Sequence, residues 1–190
     1  MDHIIVDIEI KRRVEDTPGG WDSTDLLGVS CAVVYEFTTD MFRIYGPNDV
    51  EPLKSRIQRA DRVGGFNVWK FDFPVIWGLP GRERVVELLP KTDDMLRRIW
   101  QAQGLDPEVF TKQHGGWSLD AVAGATINQQ KLGNGAMAPI WYQSGDWCRL
   151  IDYCLNDVKM ERDLSMFIDE HGYVVNNYRR LEVKKWGSGK

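Results

Sequence analysis

The chain has 190 residues and a mass of 21.9 kDa, enough for one domain with a substantial core. Hydrophobic residues make up 43% and charged residues 27%, which excludes a disordered or collagen-like protein. The net charge of −4 argues against a strongly basic, histone-like nucleic-acid binder. Three dispersed cysteines cannot frame a disulfide scaffold or a CxxC zinc site, which favours a reducing, cytoplasmic location. We expect no signal peptide and no membrane partner, because no cationic leader and no apolar run of membrane-spanning length occurs.

The first half of the chain predicts strands followed by strand–helix alternation. The expected elements are a strand over 4–10, a polar loop over 11–25, strands over 26–37 and 41–45, a helix capped at Asn48 or Asp49 and reaching about Ala60, a strand over 62–66, and a short helix that Asp72 begins and Gly78 and Pro80 stop.

The second half predicts one more strand and several helices. The expected elements are a strand over 85–89, a helix capped at Thr92 or Asp93 and ended by Gly104, a helix from Ser118 to about Ala125, a loop over 126–144 and a long helix over about 145–170. Three strands followed by strand–helix alternation predict an α/β fold with a mixed sheet: an antiparallel meander, then parallel crossovers.

Two carboxylates stand out in the first strand. Asp7 and Glu9 are two residues apart and therefore point to the same face of a strand whose other residues are apolar. Burying two like charges together is costly unless a cation binds them, and oxygen ligands favour Mg²⁺ or Mn²⁺. The alternative is that the pair lies at a solvated strand end and binds nothing.

Three further residues complete a candidate site. Asp72 follows a glycine-flanked strand end, where α/β proteins collect their sites, although an acidic residue also suits the first turn of a helix. Tyr153 and Asp157 share one flank of the last long helix, and alone they also fit an ordinary helix rim. Four carboxylates and a tyrosine together favour a two-metal site for phosphoryl transfer.

Three segments resemble, in chain order, the exonuclease motifs of the DEDD superfamily. They are VDIE at 6–9, GFNVWKFD at 65–72 and YCLND at 153–157. The tyrosine four residues before the last aspartate marks the DEDDy branch, and the second and third motifs most resemble the proofreading domain of family B DNA polymerases. The stretch WSLDAVA at 117–123, followed by Lys131, is also similar to those domains. The resemblance covers residues 4–168. One departure is Ile10, where the family often has threonine.

The resemblance implies a ribonuclease H-like fold with a five-stranded mixed sheet flanked by helices, assigned to residues 1–172. It implies two Mg²⁺ or Mn²⁺ ions and 3′–5′ hydrolysis of single-stranded DNA or RNA. By motif position, Asp7, Glu9 and Asp157 would hold the first ion, and Asp7 and Asp72 the second. Tyr153 would orient the attacking water. The terminal nucleotide or its neighbour would contact Asn67 and Phe71.

Several weaker substrate contacts are expected. Trp69 would stack on a base or pack in the core, and Lys131 would contact a phosphate. The loop over 11–25 would either cover the 3′ end or form a surface hairpin. Residues 173–190 contain five basic residues and one acidic residue. This basic C-terminal tail would extend an electrostatic track or, as the favoured interpretation, be a solubilising or disordered end.

The sequence leaves two other functions open. One is a catalytically silent ribonuclease H-like module that binds nucleic acid or a partner, which the intact carboxylates disfavour. The other is an endonuclease or resolvase on the same fold, which the spacing of Tyr153 and Asp157 disfavours. Because the chain is too short to include a polymerase as well, we expect a free-standing nuclease or a subunit of a polymerase or nuclease complex.

Overall fold

A five-stranded mixed sheet forms the centre of the protein in a computed structural model that describes residues 1–78, 81–109 and 111–187. The strands are β1 (His3–Ile10), β2 (Val29–Glu36), β3 (Met41–Tyr45), β4 (Arg62–Gly65), β5 (Thr92–Asp94), β6 (Tyr173–Val175) and β7 (Arg180–Glu182). The helices are α1 (Val50–Arg59), α2 (Asp72–Trp77), α3 (Arg82–Leu88), α4 (Met95–Ala102), α5 (Leu119–Ile127), α6 (Ala138–Ser144) and α7 (Trp147–His171).

The strand order in the main sheet is β3-β2-β1-β4-β5. Antiparallel pairing joins β1 to β2 and β2 to β3, and parallel pairing joins β1 to β4 and β4 to β5. The predicted α/β fold with a mixed sheet flanked by helices is therefore confirmed, including the meander followed by crossovers. Close pairing of β4 with β1 requires Gly65, because a Cβ there would lie 2.7 Å from the carbonyl oxygen of Val6.

The two faces of β1 pack against different helices. Its even-numbered residues, such as Ile4 and Ile8, join a core with α1, α2 and α3. Ile5 faces the other way and packs in a cluster with Leu150 and Cys154 of α7. Since side chains alternate along a strand, Asp7 and Glu9 follow Ile5 onto the α7 face. The register of this one strand therefore directs both carboxylates toward the long helix.

The predicted strand over residues 85–89 is wrong, because residues 85–88 belong to helix α3 and Leu89 begins the 3-10 turn that follows it. Val85 and Leu88 are buried in the core, whereas Val86 is 60% exposed. Apolar residues three apart on a buried face, with an exposed residue between them, follow the helical period. The adjacent β-branched valines favour a strand locally, but burial of the helical face decides the structure.

Two other segments differ in detail from their predictions. Thr92–Asp94 forms β5, so neither Thr92 nor Asp93 caps α4 as predicted. The N-cap of α4 is Asp94, whose side chain accepts from the backbone N–H of Arg97. The predicted loop over 126–144 contains α6, which begins with the buried pair Ala138 and Pro139. Proline suits the first turn of a helix because no backbone hydrogen bond is lost there. The glycine- and asparagine-rich residues before it hide this signal in the sequence.

Residues 173–187 form an ordered hairpin instead of the favoured disordered end. Strands β6 and β7 pair antiparallel, and Val174 and Val183 are buried in a cluster with α4, α5 and α7. Pro80 and the last three residues of the predicted tail lie outside the described residues. Within the described ranges, no helix combines the length and apolar character needed to cross a bilayer.

Candidate active site

Four carboxylates predicted from separate segments meet in one cleft of about 780 Å³. Asp7 and Glu9 come from the end of β1, Asp72 from the first residue of α2 and Asp157 from the middle of α7. Tyr153, one turn before Asp157, lines the same cleft. The structure therefore brings together all five residues predicted as catalytic.

Asp7 and Glu9 lie beside a buried cysteine. One ligand atom from each of Asp7, Glu9 and Cys154 falls within 4.8 Å of the others. The Sγ atom of Cys154 lies 3.6 Å from Oδ2 of Asp7 and 3.5 Å from its backbone oxygen. Burial, followed by the contact with Cys31, raises the pKa of the Cys154 thiol well above its usual range. Cys154 is therefore a thiol that donates to Asp7 and positions it, with the thiolate form disfavoured.

Asp72 is fixed against β1 at the point between the first two carboxylates. The backbone N–H of Ile8 donates to Oδ1 of Asp72 at 3.1 Å, and the Asp72 side chain is buried. Burial, and then the charge of Asp7, raises the pKa of Asp72 well above its usual range. The helix start thus holds this carboxyl group beside the strand, where burial favours its protonated form.

A lysine contacts the carboxylate and the tyrosine of α7. Nζ of Lys131 lies 2.5 Å from Oδ2 of Asp157 and 3.2 Å from the hydroxyl of Tyr153. Burial lowers the pKa of Lys131, but Asp157, Tyr153 and Asp7 together outweigh burial and hold the pKa above its usual range. Lys131 was predicted to contact a phosphate. The structure places its ammonium group on two site residues at the junction of two clefts.

The carboxylates of the cleft resist ionisation. Burial, followed by the charge of Asp157, raises the pKa of Asp7 to about 7. Burial and the charge of Asp7 raise the pKa of Glu9 well above its usual range. The pKa of Asp157 is also raised by burial, although Lys131 opposes the shift. Close like charges in a poorly solvated place favour either protons or a bound cation.

Glu161 is a fifth carboxylate that the sequence motifs did not identify. It lies one turn after Asp157 on α7 and is 1% exposed. Its Oε1 accepts from the backbone N–H of Phe66 at 3.2 Å, and its Oε2 is buried without a hydrogen-bond partner. The spacing of Tyr153, Asp157 and Glu161 at four-residue intervals places them on one helix face. That spacing is the sequence signal that would have found Glu161.

The predicted substrate contacts are divided between two clefts. Phe71 lines the first cleft together with Trp21, and their ring centroids are 6.1 Å apart. Asn67 lines a second cleft of about 990 Å³, which also includes Asp7 and Lys131. Asn67 adopts a φ of +68°, and Asp94 stabilises this turn by accepting from the backbone N–H of Asn67 at 3.0 Å.

Trp69 lies outside both of these clefts. Its indole Nε1 is 3.4 Å from Glu108, and its ring packs beneath the guanidinium of Arg97. We therefore leave Trp69 out of the proposed substrate contacts.

A scan against protein-family models gives no match, and a search of curated proteins finds none that matches this chain.

Proposed function

We propose that this protein is a metal-dependent 3′–5′ exonuclease of the DEDDy type with a ribonuclease H-like fold. Its substrate would be single-stranded DNA or RNA, which it would hydrolyse from the 3′ end. The observation that carries the proposal is the convergence of Asp7, Glu9, Asp72, Tyr153 and Asp157 in one cleft. These residues come from the three segments that resemble exonuclease motifs, and the sheet topology is compatible with that fold.

The donor set fits divalent metal ions. Oδ1 of Asp157 is buried without a hydrogen-bond partner among the described residues, and the carboxylates around it repel one another. Oxygen ligands select Mg²⁺ or Mn²⁺. By the resemblance to the exonuclease motifs, Asp7, Glu9 and Asp157 would hold one ion and Asp7 and Asp72 the other. When bound, such a pair of ions would supply hydroxide near neutral pH and would stabilise the leaving oxygen.

Tyr153 and Lys131 would act on the reacting groups through hydrogen bonds and charge. Burial raises the pKa of Tyr153 above its usual range, so the phenol stays protonated and can orient a water molecule. Lys131 holds the phenolic oxygen at 3.2 Å. Its ammonium group also places a positive charge beside the carboxylates, where it can stabilise a phosphate entering between the two clefts.

The first cleft suits the terminal nucleotide. Its volume of about 780 Å³ lies in the range of small-molecule sites, and Phe71 and Trp21 give it aromatic surfaces. Part of its wall comes from the segment between β1 and β2, including Arg13 and Val14. Of the two interpretations of this segment, a cover for the 3′ end is therefore the one we propose.

The alternatives are less well supported by these contacts. A silent binding module gains nothing from grouped carboxylates that repel phosphates. An endonuclease or resolvase on the same fold is disfavoured by the four-residue spacing of Tyr153 and Asp157 on α7, which matches the exonuclease motif. We propose a cytoplasmic nuclease, acting alone or within a polymerase or nuclease complex.

The proposal is tested with single-stranded DNA and RNA labelled at the 5′ end. The wild type should shorten the labelled strand in Mg²⁺ or Mn²⁺, and EDTA should stop this cleavage. Asp157→Asn should abolish cleavage because one carboxylate ligand is lost. Asp152→Asn is the matched control, since Asp152 is exposed on the same helix. Full activity of Asp157→Asn, or cleavage in EDTA, would contradict the metal-dependent mechanism.

A further inference from the structure

The second cleft connects the carboxylates to the C-terminal hairpin. It shares Asp7, Lys131 and Tyr153 with the first cleft, and it also includes Glu161. From there it reaches Asn177, in the turn between β6 and β7. The two clefts therefore meet at the reacting centre and extend to different elements of the fold. If the first holds the terminal nucleotide, the second is free for the rest of the strand.

The lining of the second cleft is rich in side-chain amides. These belong to Asn67, Gln130, Asn134 and Asn177. The amides of Asn67, Gln130 and Asn177 make no hydrogen bond with another residue of the described ranges. An amide both donates and accepts, so it can pair with the edges of unstacked bases and with sugar hydroxyls. The cleft thus offers neutral recognition groups beyond the charged centre.

An exposed aromatic residue comes directly after the cleft-lining Asn177 in the chain. Tyr178 follows Asn177 and is 87% exposed. The turn that carries it is fixed by Asn176, whose Oδ1 accepts from the backbone N–H groups of Tyr178 and Arg179, both at 3.0 Å. The amide of Asn176 also donates to the backbone oxygen of Gly116 at 3.2 Å. The backbone of the turn is thus fixed before a ligand binds, so a base that stacks on Tyr178 does not have to order the chain that carries it.

The charge of the hairpin complements a nucleic-acid strand. Residues 173–187 contain Arg179, Arg180, Lys184 and Lys185 against Glu182 alone, in a chain whose net charge is −4. The guanidinium of Arg179 is held over the ring of Trp117 at 5.7 Å and bonds Gln103 at 2.8 Å. A positive charge next to an exposed ring is the combination that proteins use to bind single strands.

We propose that the second cleft and the turn at 176–179 bind the strand upstream of the scissile phosphate, with Tyr178 stacked on a base and Arg179 near the backbone. This inference rests on the proposed exonuclease function and names the path of its substrate. Because Tyr178 touches little of the protein, replacing it perturbs the strand path and leaves the fold intact.

The test measures how cleavage efficiency grows with substrate length, from about 2 to about 16 nucleotides, a span that includes single-strand site sizes of about 4–16 nucleotides. We expect kcat/KM of the wild type to rise with length until the strand reaches the turn. In Tyr178→Ala, kcat/KM for the longer strands should be about tenfold lower than in the wild type, which is the size of one base–aromatic stack. Tyr178→Phe should keep the wild-type rise of kcat/KM with length. Arg179→Ala should weaken the salt dependence of KM, whereas Arg84→Ala, which removes an exposed charge on α3, should not. An unchanged length dependence in Tyr178→Ala overturns the inference.

A binding measurement separates this inference from the proposed function. If the wild type cleaves nothing, the exonuclease proposal fails, and fluorescence anisotropy with a labelled decanucleotide still tests the strand path. Weaker binding by Tyr178→Ala than by Tyr178→Phe supports the path. Equal binding by the two variants, or no binding by the wild type, overturns it.

Discussion

Replacing Asp7 with asparagine should stabilise the metal-free protein above neutral pH. The substitution keeps the shape of the side chain and removes one charge from the cluster. The pKa of Asp7 rises from 3.8 to about 7 on folding, mainly because of burial and then because of Asp157. A shift of this size corresponds to about 4 kcal/mol against the ionised form in the folded state.

The sign of this effect fixes its pH dependence. A raised acid pKa means that the folded state keeps its proton longer than the unfolded state does. Protonation of Asp7 therefore contributes to the free energy of unfolding in full below about pH 4, and this contribution is lost as pH rises through about 7. Asp7→Asn does not titrate, so its advantage over the wild type should grow between these limits and reach at most about 4 kcal/mol.

The assay is urea unfolding of both proteins in EDTA at several pH values. Asp152→Asn serves as the control, because its exposed side chain should give no growing difference. Adding Mg²⁺ at pH 8 should then stabilise the wild type more than Asp7→Asn, because binding to the folded state adds stability. Equal stability of Asp7→Asn and the wild type at pH 8 would refute the reasoning that burial and the neighbouring Asp157 disfavour the ionised form of Asp7.

Three further substitutions test the roles of single residues. Tyr153→Phe should slow cleavage about 10²-fold and keep the Mg²⁺-dependent rise in stability; loss of that rise would contradict a role in orienting water. Glu161→Ala should cost about 1–3 kcal/mol in urea unfolding because the N–H of Phe66 loses its acceptor, whereas Glu161→Gln, which keeps an acceptor, should cost less. Equal losses would contradict the view that Glu161 stabilises the fold as the acceptor for the N–H of Phe66. Val183→Ala should destabilise the protein by about 1–3 kcal/mol, and no loss would mean that the hairpin does not pack on the core.

The sequence predicts the sheet and the main carboxylates because both depend on local pattern. Strand β1 is apolar at every position except His3, Asp7 and Glu9, which identifies a central strand, and the two-residue spacing of Asp7 and Glu9 places them on one face. A four-residue spacing does the same for Tyr153 and Asp157 on α7. Such periodicities are set by the backbone and are visible in one segment at a time.

Other features depend on contacts between distant segments and were missed. Val85 and Val86 favour a strand locally, but packing of Val85 against the core selects a helix. The order of the C-terminal hairpin comes from burial of Val183 beside helices far away in sequence. Lys131 meets Asp157 and Tyr153 across a glycine-rich loop whose conformation no periodicity reveals.

The most direct test of the central claim compares a 5′-labelled strand that has a free 3′ hydroxyl with the same strand blocked by a 3′ phosphate. Both are incubated with the protein and Mg²⁺, and the products are followed over time. A ladder that shortens by single nucleotides from the free 3′ end, with the blocked strand resistant, is the predicted result. Internal cuts at equal rates in both strands would contradict a 3′–5′ exonuclease.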